Sequence, residues 1–409
     1  MSARSSTRRL TRRRFVAGTS AAAVAVAGFP AILRAQGGPI KIGLLHPVTG
    51  PISFSGLQCR AGAELAVEAV NAAGGIKSLG GRKLEAVLGD AESKPDVGVA
   101  QVEKMNEAGV AAIVGPFASG IALATTQAAA KHGIAHVVDV GVVDQIVERG
   151  LANTFRFGPG LKSIVDTALS NLVKINDGAG KPAKTVMLVH EDSAFGSGMA
   201  KTLNERLPAL GFQVLETIPH ATPTRDFTNI ALKIKAANPD LVIPSNYNNE
   251  YILLARTMRQ QGVRPKAIYS ILGGGANLKF IKESPDDAAY IIDCNHWFDN
   301  RNAEAKALRQ KTEAKGLFIT YEVMLAHECV RLVADAIERA KSTDRAAIVK
   351  ALAESTWAGH FMPYGPTKFV NGQNQGARPV NLQVLDKDFK VVFPPDVAEA
   401  KPVFPMPRT

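Results

Sequence analysis

Cysteine is scarce in this chain, where only Cys59, Cys294 and Cys329 occur among 409 residues. Their number is odd, and their spacing matches neither a disulfide framework nor the paired spacing of zinc ligands. A fold held together by disulfides or by a structural zinc ion is therefore disfavoured. We expect three buried thiols instead.

The sequence also lacks the signatures of the common enzyme classes. It contains no G-x-S-x-G nucleophile elbow, no Walker loop, no H-E-x-x-H pair and no strand followed by G-x-G-x-x-G. The Gly273-Gly274-Gly275 run opens no helix that carries a lysine, so it is predicted to form a tight turn beside a cleft rather than a phosphate cradle. This pattern indicates a protein that is not an enzyme and uses no cofactor or metal.

A membrane-spanning apolar run is missing as well, and the one apolar run near the start has another interpretation. The first 35 residues carry seven arginines and no acid, and Thr11-Arg12-Arg13-Arg14-Phe15-Val16 resembles the twin-arginine export motif. The apolar run that follows, residues 16–27, is too short to cross a bilayer. Residues 1–35 are therefore predicted to be a signal peptide, which the twin-arginine translocase handles during export to the periplasm. Its removal lowers the formal charge from +11 to +4, so the basic composition does not indicate a nucleic-acid partner.

From Pro39 onward, short apolar runs alternate with amphipathic helical stretches. This alternation predicts an α/β protein with parallel sheets covered by helices on both faces. The remaining chain of about 370 residues exceeds the size at which a single hydrophobic core stops growing, so two lobes are expected. No low-complexity linker separates the two sets of strands. The lobes are therefore predicted to be joined by several chain crossings that act as a hinge.

The segment IVGPFASG, residues 113–120, is the strongest candidate for a binding site. Two β-branched residues, a Gly-Pro corner and a Ser-Gly pair before an alanine-rich run predict a strand, a tight loop and a helix N-terminus. Free backbone N–H groups at Gly120 and Ile121, together with the hydroxyl of Ser119, would favour a bound carboxylate there. The alternative is that Ser119 only caps its own helix.

The mature chain resembles the branched-chain amino-acid-binding family, the periplasmic receptors of ABC importers. The resemblance spans nearly all of the mature sequence and is carried by the order of its motifs rather than by any single one. These motifs are IKIGLLHPVTGPISFSG, ELAVEAVNAAGGI, IVGPFASG, VERG, VHEDSAFGSGM, SNYNNEY and FITYEVM.

The resemblance implies the type I periplasmic binding protein fold, in which two Rossmann-like lobes with parallel central sheets hold a ligand between them. The first lobe is expected to span residues 39–159 and to continue at 294–368. The second lobe is expected to span 160–293 and to continue at 369–409.

Site residues also follow from the resemblance. The family's carboxylate-binding serine corresponds to Ser119. Its two aromatic contacts fall near Phe54 and on Phe195, where the hydroxyl of the family's tyrosine is absent. A loop threonine corresponds to Val142, beside the backbone of Gly141. The remaining positions that the family's pattern assigns to ligand contact are Tyr247, Asn248 and Leu272.

Two departures from the family pattern bear on the ligand. The acid that meets an ammonium group aligns near Leu272, where no Asp or Glu stands, and the family's disulfide positions fall near Glu92 and Ala118. An unpaired buried ammonium costs several kcal/mol, so an apolar-bodied carboxylate, aromatic or branched aliphatic, is predicted over a free amino acid. Asp139 or Glu250 could supply the missing acid, which keeps a branched-chain amino acid or a small amide as the alternative.

The predicted function is therefore a periplasmic solute-binding protein that delivers a small molecule to an ABC permease in the inner membrane. A ligand-sensing subunit of a signalling receptor is the alternative from another class, because the two differ only in what docks on the closed form. A hydrolase that uses Ser119 lacks both an acid and a nucleophile elbow.

Overall fold

A computed structural model describes residues 1–2 and 37–407 of the chain. The predicted signal peptide and its twin-arginine motif lie almost entirely outside the described residues. Within the described part of the chain, no helix combines the length and the apolar character that crossing a membrane requires.

The first part of the chain alternates strands and helices as the sequence predicts. Strands β3 and β4 are buried at every position, which is typical of parallel strands covered on both faces. Helix α2 begins with a proline, at a position where no backbone N–H is needed. The elements are β1 (Ile40–His46), α1 (Ser53–Ala72), β2 (Leu84–Asp90), α2 (Pro95–Glu107), β3 (Ala112–Val114), α3 (Ser119–Lys131), β4 (Ala135–Val138), α4 (Gln145–Glu148) and β5 (Thr154–Arg156).

The middle of the chain repeats this alternation. Its first helix buries a stripe that includes Leu161, Ile164, Val165 and Ala168, the three- and four-residue spacing of an amphipathic helix. The elements are α5 (Leu161–Gly178), β6 (Thr185–Glu191), α6 (Ala194–Arg206), β7 (Gln213–His220), α7 (Thr228–Ala237), β8 (Leu241–Ser245), α8 (Asn248–Gln260), β9 (Ala267–Ile271), α9 (Leu278–Glu283), α10 (Pro285–Ala288) and β10 (Ile292–Asn295).

The last part begins with three helices and ends with short strands. Helix α12 starts at a cap in which the hydroxyl of Thr320 accepts a hydrogen bond from the backbone of Val323. It then lies along α1. The elements are α11 (Ala303–Ala314), α12 (Tyr321–Ala340), α13 (Arg345–Ala353), β11 (Phe369–Val370), β12 (Gln373–Asn374), β13 (Val380–Leu385) and β14 (Asp388–Phe393).

The strands form two seven-stranded sheets, one in each lobe. Their orders are β11-β12-β5-β4-β3-β1-β2 and β14-β13-β10-β9-β8-β6-β7. Pairing is parallel from β2 to β5 and from β7 to β10, whereas β11 and the β13-β14 hairpin add antiparallel edges. The predicted α/β class with two Rossmann-like lobes is confirmed.

The chain passes between the sheets three times, in residues 157–184, 296–302 and 375–379. In each case the strand before the segment and the next strand along the chain belong to different sheets; three helices separate the second segment from its next strand, β11. Two predicted lobe boundaries need correction. Residues 294–295 still pair in the second sheet as part of β10, and residues 369–374 join the first sheet because Gln373 pairs with Arg156. The last crossing therefore follows β12 rather than preceding β11.

Candidate functional site

A cavity of about 480 Å³ lies between the two lobes. It is found at the carboxyl ends of parallel strands, where open α/β sheets bind their ligands. The first lobe contributes Ser55, Phe117, Ala118, Ser119, Val140, Val142, Tyr321 and Glu322. The second lobe contributes Phe195, Asn246, Tyr247, Asn248, Leu272, Gly274 and Asn277.

Ser119 is the first residue of α3, and its hydroxyl oxygen accepts two backbone hydrogen bonds. The amide of Val142 donates at 3.1 Å and the amide of Val143 at 3.4 Å. Both lone pairs of the oxygen are used in this way, so the hydroxyl proton remains to be donated. The residue before the helix is Ala118, and no side chain caps this end. The structure therefore does not support the alternative in which Ser119 only caps its own helix.

A buried arginine holds the loop that binds Ser119. Arg156 donates from Nη1 to the carbonyl oxygens of Val142 at 2.6 Å and Val143 at 2.8 Å. The same guanidinium forms an ion pair with Asp144 at 3.2 Å. Arg156 therefore fixes the carbonyl groups of Val142 and Val143, and the backbone amides of the same two residues donate to Ser119. It is a positioning residue, because it does not line the cavity.

The turn before α3 depends on a glycine. Gly115 has a φ of +117°, and a Cβ there would lie 2.0 Å from the carbonyl oxygen of Leu45. Only glycine fits such a conformation and such a close approach. The turn carries Phe117 to the cavity two residues before Ser119.

The opposite wall carries two aromatic rings, Phe195 and Tyr247, beside three asparagines. The ring of Tyr247 lies 5.9 Å from that of Phe195 between centroids, and its hydroxyl is 3.3 Å from the hydroxyl of Ser193. Burial raises the pKa of the Tyr247 hydroxyl, which stays neutral at cellular pH. The two rings present flat apolar faces to the cavity, together with one neutral hydroxyl.

Backbone conformation shapes the rest of this wall. Leu272 has a φ of +53°, a left-handed conformation that is rare for a leucine and is found preferentially at functional sites. A Cβ on Gly274 would lie 2.4 Å from the Cα of Asn248, so this turn has no room for a side chain. The predicted tight turn beside a cleft is confirmed, since Gly274 lines the cavity.

One acidic side chain lines the cavity. Glu322, in the first turn of α12, is 2% exposed, and its Oε2 has no hydrogen-bond partner among the described residues. Burial raises the pKa of its carboxyl to about 7, against opposing hydrogen bonds from its own backbone amide and from the hydroxyls of Thr320 and Ser55. The sequence pointed to Asp139 or Glu250 as the missing acid, whereas the acid that lines the cavity is Glu322.

Six of the nine residues predicted to bind ligand line the cavity, and they come from both lobes: Ser119, Val142, Phe195, Tyr247, Asn248 and Leu272. Phe54, Gly120 and Gly141 do not. Phe54 lies half-buried beneath the amino group of Lys279, 5.8 Å from the ring centroid. Gly120 follows Ser119 in the helix, and Gly141 is packed against Ala122 and Ile146.

The two acids proposed as substitutes lie elsewhere. Asp139 is buried in the first lobe, 3.0 Å from Nε2 of His46, and its other oxygen accepts the amide of Val140. Glu250 is buried on α8 and does not line the cavity. Neither carboxyl reaches the wall that would meet an ammonium group.

Sequence reasoning missed Phe117, Tyr321 and Glu322. All three belong to segments that it had already singled out: Phe117 lies inside IVGPFASG, and the other two lie inside FITYEVM. The signal that could have found Tyr321 and Glu322 is an aromatic-acid pair at the start of a long helix.

All three cysteines are buried and unpaired, as predicted. Cys59 lies in one group with His46 and Asp139, where the possible ligand atoms fall within 4.8 Å of one another. His46 and Asp139 already bond each other, and burial raises the pKa of the Cys59 thiol, which keeps it protonated. A protonated thiol is a poor metal ligand. The group is best described as a buried hydrogen-bonded pair beside a thiol.

Two parallel-sheet lobes, three chain crossings and a cavity between the lobes are the features of a two-lobed binding-protein fold. The model of the periplasmic binding protein family matches residues 39–390. The chain therefore belongs to this family and is periplasmic.

Relatives and solved structures agree with this assignment. The Leu/Ile/Val-binding protein homolog 7 of Brucella abortus is 28% identical over 391 residues, which cover 91% of this chain and 96% of the relative. The branched-chain amino acid transporter substrate-binding protein LivJ from Streptococcus pneumoniae, solved in complex with isoleucine, has a TM-score of 0.72 at 23% identity, covering 90% of this chain and all of that one. An ABC transporter solute-binding protein from R. palustris, solved in complex with benzoate, has a TM-score of 0.74 at 20% identity, covering 87% of this chain and 96% of that one.

Proposed function

We propose that this receptor binds a small apolar-bodied carboxylate between its lobes and delivers it to an ABC permease of the inner membrane. The observation that carries the proposal is the state of Ser119. Its hydroxyl oxygen is occupied by two backbone amides, its proton is free to donate, and it stands at a helix N-terminus that opens into the cavity between the lobes.

The chemistry of this corner favours an anion. The first backbone amides of α3 have no acceptor within the helix, and the helix dipole adds partial positive charge at the same end. A carboxylate that accepts from the hydroxyl of Ser119 would gain about 1.5 to 3 kcal/mol from this charge-assisted hydrogen bond. The corner therefore selects for a carboxylate over a neutral carbonyl.

The rest of the cavity favours an apolar body. Phe117, Phe195, Tyr247, Val142 and Leu272 supply rings and aliphatic groups on both sides. Aromatic and branched aliphatic acids combine such a body with one carboxylate. The isoleucine and the benzoate in the two solved neighbours share this combination, which supports the proposal.

Glu322 changes one part of the sequence-based prediction. An ammonium group was disfavoured because no acid was expected at the cavity wall, and this acid removes that reason. The proposed class is therefore any apolar-bodied carboxylate, with or without an amine.

Calorimetric titration of the purified mature protein tests the proposal. The panel contains leucine, isoleucine, valine and phenylalanine, their deaminated acids, benzoate, and short amides as neutral analogues. Binding of at least one carboxylate, with weaker binding of the matching amide, is expected. Tight binding of an amide together with no binding of any carboxylate contradicts the proposal.

A clean deletion tests the transport role separately. Cells without this protein should lose uptake of the ligand that calorimetry identifies, and uptake should return when the full-length chain is supplied. Unchanged uptake in the deletion strain contradicts delivery to a permease. Export by the twin-arginine translocase is a further part of the proposal, and Arg12→Lys with Arg13→Lys should retain the precursor in the cytoplasm.

A further inference from the structure

Glu322 occupies an unusual place for a carboxyl group. It lies in the first turn of α12, it is 2% exposed, and it forms part of the wall of the cavity between the lobes. Its Oε2 accepts no hydrogen bond from any residue of the described chain. Buried carboxyl groups are normally paired or hydrogen-bonded, so an unpaired oxygen that faces a ligand cavity calls for a partner from outside the protein.

The described part of the chain supplies no cationic side chain to the wall of this cavity. None of the described residues that line the cavity is a lysine or an arginine. The titratable groups that act on Glu322 or feel its charge are the thiol of Cys59 on α1, the hydroxyl of Tyr321 beside it, and the carboxyl of Asp293 on β10. All three are neutral or negative when they titrate, so none can serve as a counter-ion.

The same surroundings explain the protonation of the empty site. Burial raises the pKa of Glu322 to about 7 and that of Asp293 to about 8, and the charge of Glu322 further disfavours ionisation of Asp293. In the absence of a ligand, the carboxyl of Glu322 is partly protonated near neutral pH, and this proton stands where a bound cation could stand.

We propose that Glu322 is the counter-ion for a protonated amine of the ligand, so that it determines specificity within the carboxylate class. This inference rests on the proposed function, which places the carboxylate end at Ser119. The counter-ion then comes from the first lobe and a helix N-terminus, not from the loop around Leu272 in the second lobe. A bound ammonium group would satisfy the free oxygen and neutralise the carboxylate.

Binding of such a ligand should release up to one proton, in proportion to the fraction of Glu322 that is protonated in the empty cavity. The amine arrives protonated and requires the ionised carboxylate, so the proton held by Glu322 in the empty cavity passes to solvent. A carboxylate without an amine has no such requirement and leaves Glu322 protonated. The number of protons released is therefore a signature of the contact that does not depend on any substitution.

Matched ligand pairs test the inference in the wild-type protein and two variants. The pairs are leucine with its deaminated acid and phenylalanine with its deaminated acid. In the wild type, the amine-bearing member should bind roughly tenfold to a hundredfold more tightly. Glu322→Gln should reduce this ratio towards one.

Glu250→Gln is the matched control. Glu250 is equally buried at 2% exposure and also has an unpaired oxygen, but it lies outside the cavity wall. The control should keep the wild-type ratio, and thermal unfolding should show that both variants fold. Should Glu322→Gln fail to fold, proton release by the wild type, measured in two buffers of different ionisation enthalpy near pH 6.5, decides the question.

The failure of this inference and the failure of the proposed function look different. Tight binding of a deaminated acid with no advantage for the amine, or an unchanged ratio in Glu322→Gln, overturns the role of Glu322 alone. Absence of proton release on binding of leucine or phenylalanine overturns it as well. Binding of neutral amides with no binding of any carboxylate overturns the proposed function.

Discussion

Phe117 and Tyr247 face each other across the cleft, with ring centroids 5.8 Å apart and ring planes inclined by 50°. Phe117 belongs to the turn before α3 in the first lobe, and Tyr247 is the residue that precedes α8 in the second lobe. The lobes also meet at an antiparallel bridge between Asn277 and Thr320 and where Lys279 lies over Phe54. Contacts of this kind exist only while the lobes are closed, so opening of the hinge must break them.

A cysteine pair at the bridge should lock the lobes together. Bridged residues on antiparallel segments have Cα atoms about 4.5 to 5.5 Å apart, within the range of a disulfide. The double variant Asn277→Cys with Thr320→Cys should bind ligand slowly when oxidised and at the normal rate after addition of reductant, as followed by stopped-flow fluorescence. Each single variant serves as a control. Equal association rates in the oxidised and reduced double variant would show that entry needs no opening.

Loss of the Ser119 hydroxyl should weaken binding of the carboxylate end. Ser119→Ala removes the one side-chain donor at the helix N-terminus, and the affinity for a carboxylate should fall about tenfold to a hundredfold in calorimetry. Ser355→Ala is the matched control, because Ser355 is equally buried but bonds Thr367 outside the cavity. Unchanged affinity in Ser119→Ala would show that Ser119 does not bind the carboxylate.

Arg156 should affect both stability and binding, although it touches no ligand. Arg156→Met leaves two carbonyl oxygens of the 142–143 loop without their donor and removes the ion pair with Asp144, and the free energy of unfolding should fall by about 3 kcal/mol. Affinity should fall too, because the amides that orient Ser119 belong to this loop. Urea denaturation and calorimetry measure the two effects.

Arg149→Met provides the comparison for Arg156. Arg149 is exposed and donates to the carbonyl oxygens of Gln145 and Leu123, so its loss should cost about 1 kcal/mol of stability. Its loss should leave affinity unchanged. If both variants lose stability but neither loses affinity, Arg156 supports the fold and does not position Ser119.

The affinity for an amine-bearing carboxylate should depend on pH through Glu322. The pKa of this carboxyl in the empty cavity is raised to about 7, and the ligand requires the ionised form. Affinity should therefore be level above about pH 8 and should fall by up to about tenfold per pH unit below pH 7. The deaminated acid should show no such loss. A flat profile for the amine between pH 6 and pH 8 is the contrary result.

The fold was accessible from the sequence because its signals are local. A helix was predicted to begin at the Ser-Gly pair of residues 119–120 and is observed at Ser119–Lys131, since an apolar strand, a Gly-Pro corner and an alanine-rich run leave little choice. Strands β11 and β12 have two residues each and carry no periodic pattern. Their place in the first sheet depends on the pairing of Gln373 with Arg156, which no local pattern encodes.

The sequence predicted a site residue correctly only where a sequence motif contained that residue. Ser119 stands at the cavity because the loop and helix that hold it are contiguous in sequence. Phe54 was selected over Ser55, its neighbour in α1, and a shift of one residue turns a side chain by about 100° around a helix. Glu322 is 203 residues from Ser119 in the printed sequence, and only the return of α12 to the first lobe brings it to the cavity.

A crystal structure of the mature protein with the tightest ligand of the panel tests the central claim most directly. The account predicts a carboxylate oxygen about 2.5 to 2.7 Å from Oγ of Ser119, and the apolar body between Phe117, Phe195 and Tyr247. A ligand whose apolar end faces Ser119, or whose carboxylate lies at another wall of the cavity, would contradict it.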